Sequence, residues 1–415
     1  MRHTIKDLQE LQALPLDLKV RLTKQRIREW IRYYGEDGVY VAFSGGKDST
    51  VLLDIVREEY PNVKAMFVDV PTQYPELKEF VQTFDNVDII KPKISFAEVC
   101  KKYGFPLISK EVSDTVAQAR KYLTKVLKQT ESLQTDRQTD RQTDRQTVAN
   151  AYAMADILGI ERRKKGEQNT DYENLKKGII PEISWNNNYE FGMPVRLLQL
   201  YGKMPHKEKG KTTNEYSKRY DKTRYSFFLD APFEISNKCC NVMKKNPAKE
   251  YQKRTGRVPI TAQMASESRL RTEQWLKNSC NAFDSKNPVS NPMSFWTEQD
   301  VLLYIKSHDL PICSVYGEVV TDDEEWGQMS IAEWTGNELF ELGQKPLHCT
   351  GCQRTGCVLC GFGAHIGGDD RFVKLKETHP KFYALLDLIE NNGYTMRQAI
   401  EWTNEHGNLN IKLGG

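Results

Sequence analysis

Val39-Tyr40-Val41-Ala42-Phe43-Ser44-Gly45-Gly46-Lys47-Asp48-Ser49-Thr50 is an apolar run that stops at two glycines and resumes as the helical pattern Val51, Leu52, Leu53, Ile55, Val56. Strand, tight turn and helix in that order make an anion site from backbone alone. Paired glycines let the chain turn with its N–H groups pointing inward, and the first free N–H groups of the helix add partial positive charge. Lys47 brings a full charge to the same point, and Ser44 and Ser49 bring hydroxyl donors. The candidate phosphate-binding residues are therefore Ser44, Gly45, Gly46, Lys47, Asp48 and Ser49. A Walker A loop needs four residues between its first glycine and its Gly-Lys pair, so this is a different loop.

Outward from that junction, residues 63–70 read as a buried strand with Asp69 near its end. Open parallel sheets bind ligands at the carboxyl ends of their strands, so Asp69 is a candidate nucleotide contact if this strand neighbours the first. Residues 87–92, 105–110 and 258–262 read as further strands, separated by helical patterns. That alternation predicts an α/β fold with a doubly wound parallel sheet. The expected division is a helical lead-in over 1–35, with one helix over 7–34, and a nucleotide-binding domain over 36–287 carrying an insertion at about 117–226. A helical, cysteine-rich region over 288–415 follows, with helices predicted over 298–307, 371–389 and 395–405.

The 59 basic and 56 acidic residues leave a net charge of +3. This argues against a global nucleic-acid surface, while the local clusters Arg162 to Lys165 and Lys207 to Lys211 leave a nucleic-acid acceptor open. Residues 1–11 are too polar for a secretory leader and no apolar stretch of about 18 residues is present, so a cytoplasmic protein without a membrane partner is expected. In a reducing compartment the nine cysteines read as metal ligands, redox groups or buried thiols.

Gln-Thr-Asp-Arg occurs three times between Gln134 and Arg145 and continues into Gln146-Thr147. A helix would align Asp136, Asp140 and Asp144 at i, i+4 spacing, where they repel, and would have no apolar face. The repeat is expected to be an exposed insertion without chemistry. It also has a genetic reading: the tetranucleotide CAGA, repeated and read in triplets as CAG-ACA-GAC-AGA, encodes these four residues. Slippage by one unit shifts the frame, which predicts an on/off, phase-variable gene of the mobile-element, surface or phage-defence kind.

Cys239-Cys240 is followed far downstream by Cys349-Thr-Gly-Cys352 and Cys357-Val-Leu-Cys360. Two residues between cysteines let both thiolates reach one metal or cluster. Two arrangements are open, a zinc knuckle from Cys349, Cys352, Cys357 and Cys360, and an iron-sulfur cluster that draws on the distant pair. Cys100, Cys280 and Cys313 read as buried small hydrophobes.

Ser44-Gly45-Gly46-Lys47-Asp48-Ser49 resembles the PP-loop of the ATP pyrophosphatases and sulfonucleotide reductases. Lys238-Cys239-Cys240 resembles the paired-cysteine motif of adenylylsulfate reductases, and Trp296-Thr297 through Tyr304-Ile305 with Gly356-Cys357-Val358-Leu359-Cys360 is similar to two further segments of that family. Glu267-Ser268-Arg269 with Arg271 is similar to its Glu-Ser-x-x-Arg region. The chain thus resembles the phosphoadenylyl-sulfate and adenylyl-sulfate reductase family, within the PP-loop adenine nucleotide α-hydrolase superfamily, over residues 39–112 and 233–361.

The resemblance implies a HUP-like fold with ATP or a sulfonucleotide on the loop, Arg269 and Arg271 on its sulfate or phosphate, and Mg²⁺ beside Asp48. It also implies a four-iron cluster on Cys239, Cys240, Cys357 and Cys360, with zinc as the alternative metal. Two departures matter. Val70-Pro71 stands where the family has Thr-Gly, and no cysteine follows Cys360, so the family's C-terminal thiolate attack is not expected. Cys349 and Cys352 then become the candidate catalytic thiols beside Lys47 and Asp48. The implied activity is ATP-to-AMP activation of a nucleic-acid or protein acceptor for sulfur transfer, as in relatives that thiolate RNA or phosphorothioate DNA. The alternatives are a sulfonucleotide reductase that releases sulfite through Cys349 or Cys352, and a nucleotide or cluster sensor without turnover.

Overall fold

A computed structural model describes residues 3–135, 195–202, 205–208, 211–322 and 346–414. The chain forms two compact units, each built from two segments: residues 1–96 with 240–359, and 97–239 with 360–415.

The first unit opens with α1 (Ile5–Gln12) and α2 (Leu16–Tyr34). The single lead-in helix expected over 7–34 is thus two, because Pro15 has no N–H to continue a helical ladder and its fixed φ suits a helix start. Next come β1 (Val39–Ala42), α3 (Lys47–Glu59), β2 (Ala65–Val68), α4 (Pro75–Gln82) and β3 (Val87–Ile90). The chain returns to this unit with α5 (Asn246–Thr255), β4 (Val258–Ile260), α6 (Arg269–Asn278), β5 (Asn281–Ala282) and β6 (Val289–Ser290). It ends with α7 (Glu298–Ser307), β7 (Val319–Thr321) and β8 (Leu347–Cys349).

Six strands form one sheet in the order β3-β2-β1-β4-β6-β5. All neighbours are parallel except β5 with β6. The chain leaves β1 toward β2 and β3 on one side and later fills the other side from β4, so strand order reverses at β1. A parallel sheet opens a crevice at such a switch point, and here the Gly-Gly-Lys loop stands in it. Alternate β1 residues serve opposite faces. Tyr40 packs with Met66 and with Tyr251 of α5, Val39 and Val41 are fully buried on the other side, and α3 contacts both β1 and α2. The sheet is therefore covered on both faces, as a doubly wound fold requires.

Two expected elements fall elsewhere. Leu107–Ile108 does not join the central sheet but pairs in parallel with Gly361–Phe362 in the second unit. A side chain at 361 would meet Leu107 Cδ2 at 2.7 Å and Pro106 O at 2.8 Å, so glycine permits that close pairing. The described residues 288–322 and 346–359, grouped in the sequence with the C-terminal region, lie in the first unit, where β6 hydrogen-bonds to the central sheet.

In the second unit a helix spans Lys110–Thr135, reaching the first two residues of the tetrapeptide repeat. The rest of the repeat and the Arg162 to Lys165 cluster lie outside the described residues. The helix predicted over 371–389 is broken by Pro380 into Arg371–Thr378, Pro380–Tyr383 and a 3-10 turn, Ala384–Asp387. Thr395 caps the last helix, Met396–Gly407, and Trp402 of that helix packs edge-on against Phe233 at 5.4 Å between ring centroids. Among the described residues no helix is long and apolar enough to cross a membrane.

Candidate nucleotide site

Gly45 has φ +71°, and a Cβ there would meet Val81 Cγ2 at 2.9 Å and Leu77 Cδ1 at 3.0 Å. Only glycine takes that turn against α4 without strain. The loop is then braced by its own hydroxyls. Ser44 N–H donates to Ser49 Oγ at 3.1 Å, Gly46 N–H donates to Ser44 Oγ at 3.3 Å, and Ser49 Oγ–H donates to Gly46 O at 2.9 Å. Ser49 is buried beneath the loop. Gly46 caps α3, so the free end of that helix faces the same place.

Above the loop lies a cavity of about 340 Å³ whose lining includes Ser44, Gly46, Lys47 and Asp48. Lys47 is only 4 % exposed. Its Nζ lies 2.9 Å from Glu298 Oε1 and donates to Gln353 O at 3.1 Å. Burial alone would lower its pKa, but Asp48, Glu298 and Tyr316 more than reverse that, so Lys47 stays charged. Burial raises the Asp48 pKa against the pull of Lys47, Arg354 and Arg271. One Asp48 carboxylate oxygen is buried with no partner among the described residues.

Several lining residues carried no signal in the sequence. Glu298, first residue of α7, was legible only as a helix start. Tyr316 Oη accepts the Lys47 backbone N–H at 3.2 Å and lies 2.8 Å from Thr355 Oγ1. Arg354 and Thr355, which read only as the spacer between two cysteine pairs, also line the cavity, as does Gly356 of the Gly-Cys-x-x-Cys segment. A Cβ on Gly46 would come within 3.2 Å of Thr355 Oγ1 and of Tyr316 Oη, which gives the second glycine its own steric reason.

The other expected contacts are distributed differently. Asp69 sits just past the end of β2, next to β1 as anticipated, but it is buried in an ion pair with Lys78 at 2.7 Å and does not line the cavity. Arg269 pairs with Glu273 at 2.9 Å and does not line it either. Arg271 pairs with Glu267 and lines a neighbouring cavity of about 280 Å³, although its charge reaches Asp48.

Cys349 lies on β8, 4 % exposed. Burial pushes its thiol pKa up, with Lys47 pulling the other way and Glu298 and Asp48 adding to the rise. Thiolate is the reactive form, so this environment works against Cys349 as a nucleophile. Cys352 is half-buried and its thiol donates to Tyr74 Oη at 3.5 Å. Cys240 and Cys357 belong to the first unit, Cys239 and Cys360 to the second. A π-helical turn, Asn241–Lys245, follows Cys240. Among the described residues no three His, Cys, Asp or Glu side chains are gathered as metal ligands. The cluster and the zinc knuckle therefore rest on the sequence motifs, and no chemical step is routed through the cysteines as metal ligands.

A parallel sheet whose switch-point strand runs into a Gly-Gly-Lys loop, under a cavity holding a buried lysine, defines an α/β nucleotide-binding protein of the PP-loop type. The family model for the phosphoadenosine phosphosulfate reductase domain matches residues 38–165 and 195–361, more than half of the chain, and the chain belongs to that family. A comparison with curated proteins finds no match.

Proposed function

We propose that the first unit binds an adenine nucleotide with its pyrophosphate on the Ser44 to Ser49 loop and acts at the α-phosphate. The observation that carries this reading is Lys47, a buried and charged lysine at the start of α3 inside the 340 Å³ cavity. A buried cation needs an anion beside it, and half-exposed Glu298 fills that place at 2.9 Å until a ligand phosphate exchanges with it. In the reaction an acceptor oxygen attacks the α-phosphorus, the bond to the β-phosphate oxygen breaks, and pyrophosphate departs with the electron pair. Lys47 and the α3 N-terminus neutralise the charge on that leaving group, and loss of one such donor typically costs about 3 kcal/mol. Asp48, with its unpartnered oxygen, is the residue that would hold Mg²⁺ carried by the nucleotide.

A second reading, sulfonucleotide reduction through a thiol, is favoured by one observation, that the positive charge of Lys47 reaches the Cys349 thiol. Its raised pKa argues the other way, so adenylation of a nucleic-acid or protein acceptor is the better-supported chemistry. Purified protein incubated with α-labelled ATP, adenylyl sulfate or phosphoadenylyl sulfate decides between them. Labelled AMP or an adenylated acceptor supports the first reading and sulfite release the second. Binding of none of the three overturns both.

A further inference from the structure

We propose that Arg354, carried between the two local cysteine pairs, completes an oxyanion subsite on the loop and grips the phosphate or sulfate farthest from the adenosine. The inference rests on reading the cavity as a nucleotide site, and adds to it a residue and a recognition chemistry. Three cationic side chains lie in or beside the cavity, and their partners differ. Lys47 is held by Glu298 and by Gln353 O. Arg271 is held by Glu267 and faces the neighbouring cavity. Arg354 lines the same cavity as Lys47, yet among the described residues it makes no hydrogen bond or ion pair. Its charge registers only through space, at Asp48 and Arg271. An uncommitted guanidinium has five N–H donors in a planar fork, a shape that matches two oxygens of a tetrahedral oxyanion.

The Arg354 side chain is exposed, and on an unconstrained loop it would merely be solvated, but here the backbone that carries it is held in place. Cys352 N–H donates to Val315 O at 2.8 Å on one side of the segment, and Val358 N–H donates to Thr72 O at 2.8 Å on the other. Between those pins, Thr355 Oγ1 is tied to Tyr316 Oη at 2.8 Å, and that same hydroxyl accepts the Lys47 backbone N–H. The segment is thus a strap fastened to the loop itself, with Arg354 beside the fastening.

Calorimetric titration of the full chain with inorganic pyrophosphate, and separately with adenylyl sulfate, tests the proposal. Charge-assisted pairs of this kind lead us to expect Arg354→Ala to weaken pyrophosphate binding about tenfold to a hundredfold. Arg354→Lys should recover only part of that, because an ammonium lacks the fork. Both variants should melt like the parent, since no partner is lost. A parallel loss for adenylyl sulfate assigns the subsite to sulfate as well, whereas an effect on pyrophosphate alone assigns it to the ATP tail. Arg354→Ala binding both anions as well as the parent overturns the inference while leaving the nucleotide reading intact. A parent protein that binds neither anion overturns both together.

Discussion

Glu298 holds the Lys47 ammonium at 2.9 Å, where an incoming phosphate oxygen would need to be. Nucleotide binding must therefore exchange one anion for another and bring the two close together. Half of the Glu298 side chain is exposed while Lys47 is nearly sealed, so solvent screens the pair and its worth is discounted to about 1 kcal/mol. Removing the competing charge should then tighten pyrophosphate binding about fivefold. Glu298→Gln is the right perturbation, because it keeps the side-chain length and an oxygen for Lys47. The change has a cost of its own. Glu298 opens α7, where a carboxylate favours the N-terminal dipole by about 0.3–1 kcal/mol, so the variant should melt slightly lower. The expected signature is thus opposite in sign for the two measurements, tighter binding by calorimetry and a lower melting temperature on the same sample. Unchanged or weaker binding would refute the competition and make Glu298 a group that contacts the ligand.

Lys19 is 2 % exposed and places its Nζ 2.7 Å from both oxygens of Asp300, which also accepts the Thr297 N–H at the start of α7. Lys19→Met should cost about 3 kcal/mol in denaturant unfolding by stranding that carboxylate, and adding Asp300→Asn should restore part of it; a loss below about 1 kcal/mol would contradict the account. Asp48 has a folded pKa raised by burial above its ordinary 3.8, so its contribution is present below that value and is lost as pH rises through the folded pKa. Asp48→Asn should therefore raise the melting temperature at neutral pH but not at pH 3, and parallel pH profiles for variant and parent would exclude this. For the cysteines, whose case rests on spacing and on the resemblance of their motifs, iron, sulfide and zinc are assayed after anaerobic purification. Iron and sulfide lost on Cys240→Ser favour the cluster, zinc indifferent to Cys240→Ser favours the knuckle, and no metal at all dismisses both.

The nucleotide loop and its sheet were legible in the sequence because their determinants are contiguous: an apolar run, two glycines and a helix start within twelve residues. What packs against the loop was not, because Tyr316 and Gln353 meet Lys47 across 269 and 306 residues, and local periodicity does not encode such separations. Glu298 was hidden for a related reason, since the Thr297 and Asp300 capping box fully explains a polar helix start without a cavity beside it. The cysteine motif shows how one pattern can answer to two causes. Residues 353–356 must span from the Val315 contact at Cys352 to the Thr72 contact at Val358 while setting Thr355 against Tyr316. Those restraints limit the length between Cys352 and Cys357 whether or not the thiols bind anything. Spacing that reads as a metal signature is therefore also what a strap over a phosphate loop requires, and lengthening it by one glycine after Gly356 should weaken pyrophosphate binding even in protein stripped of metal.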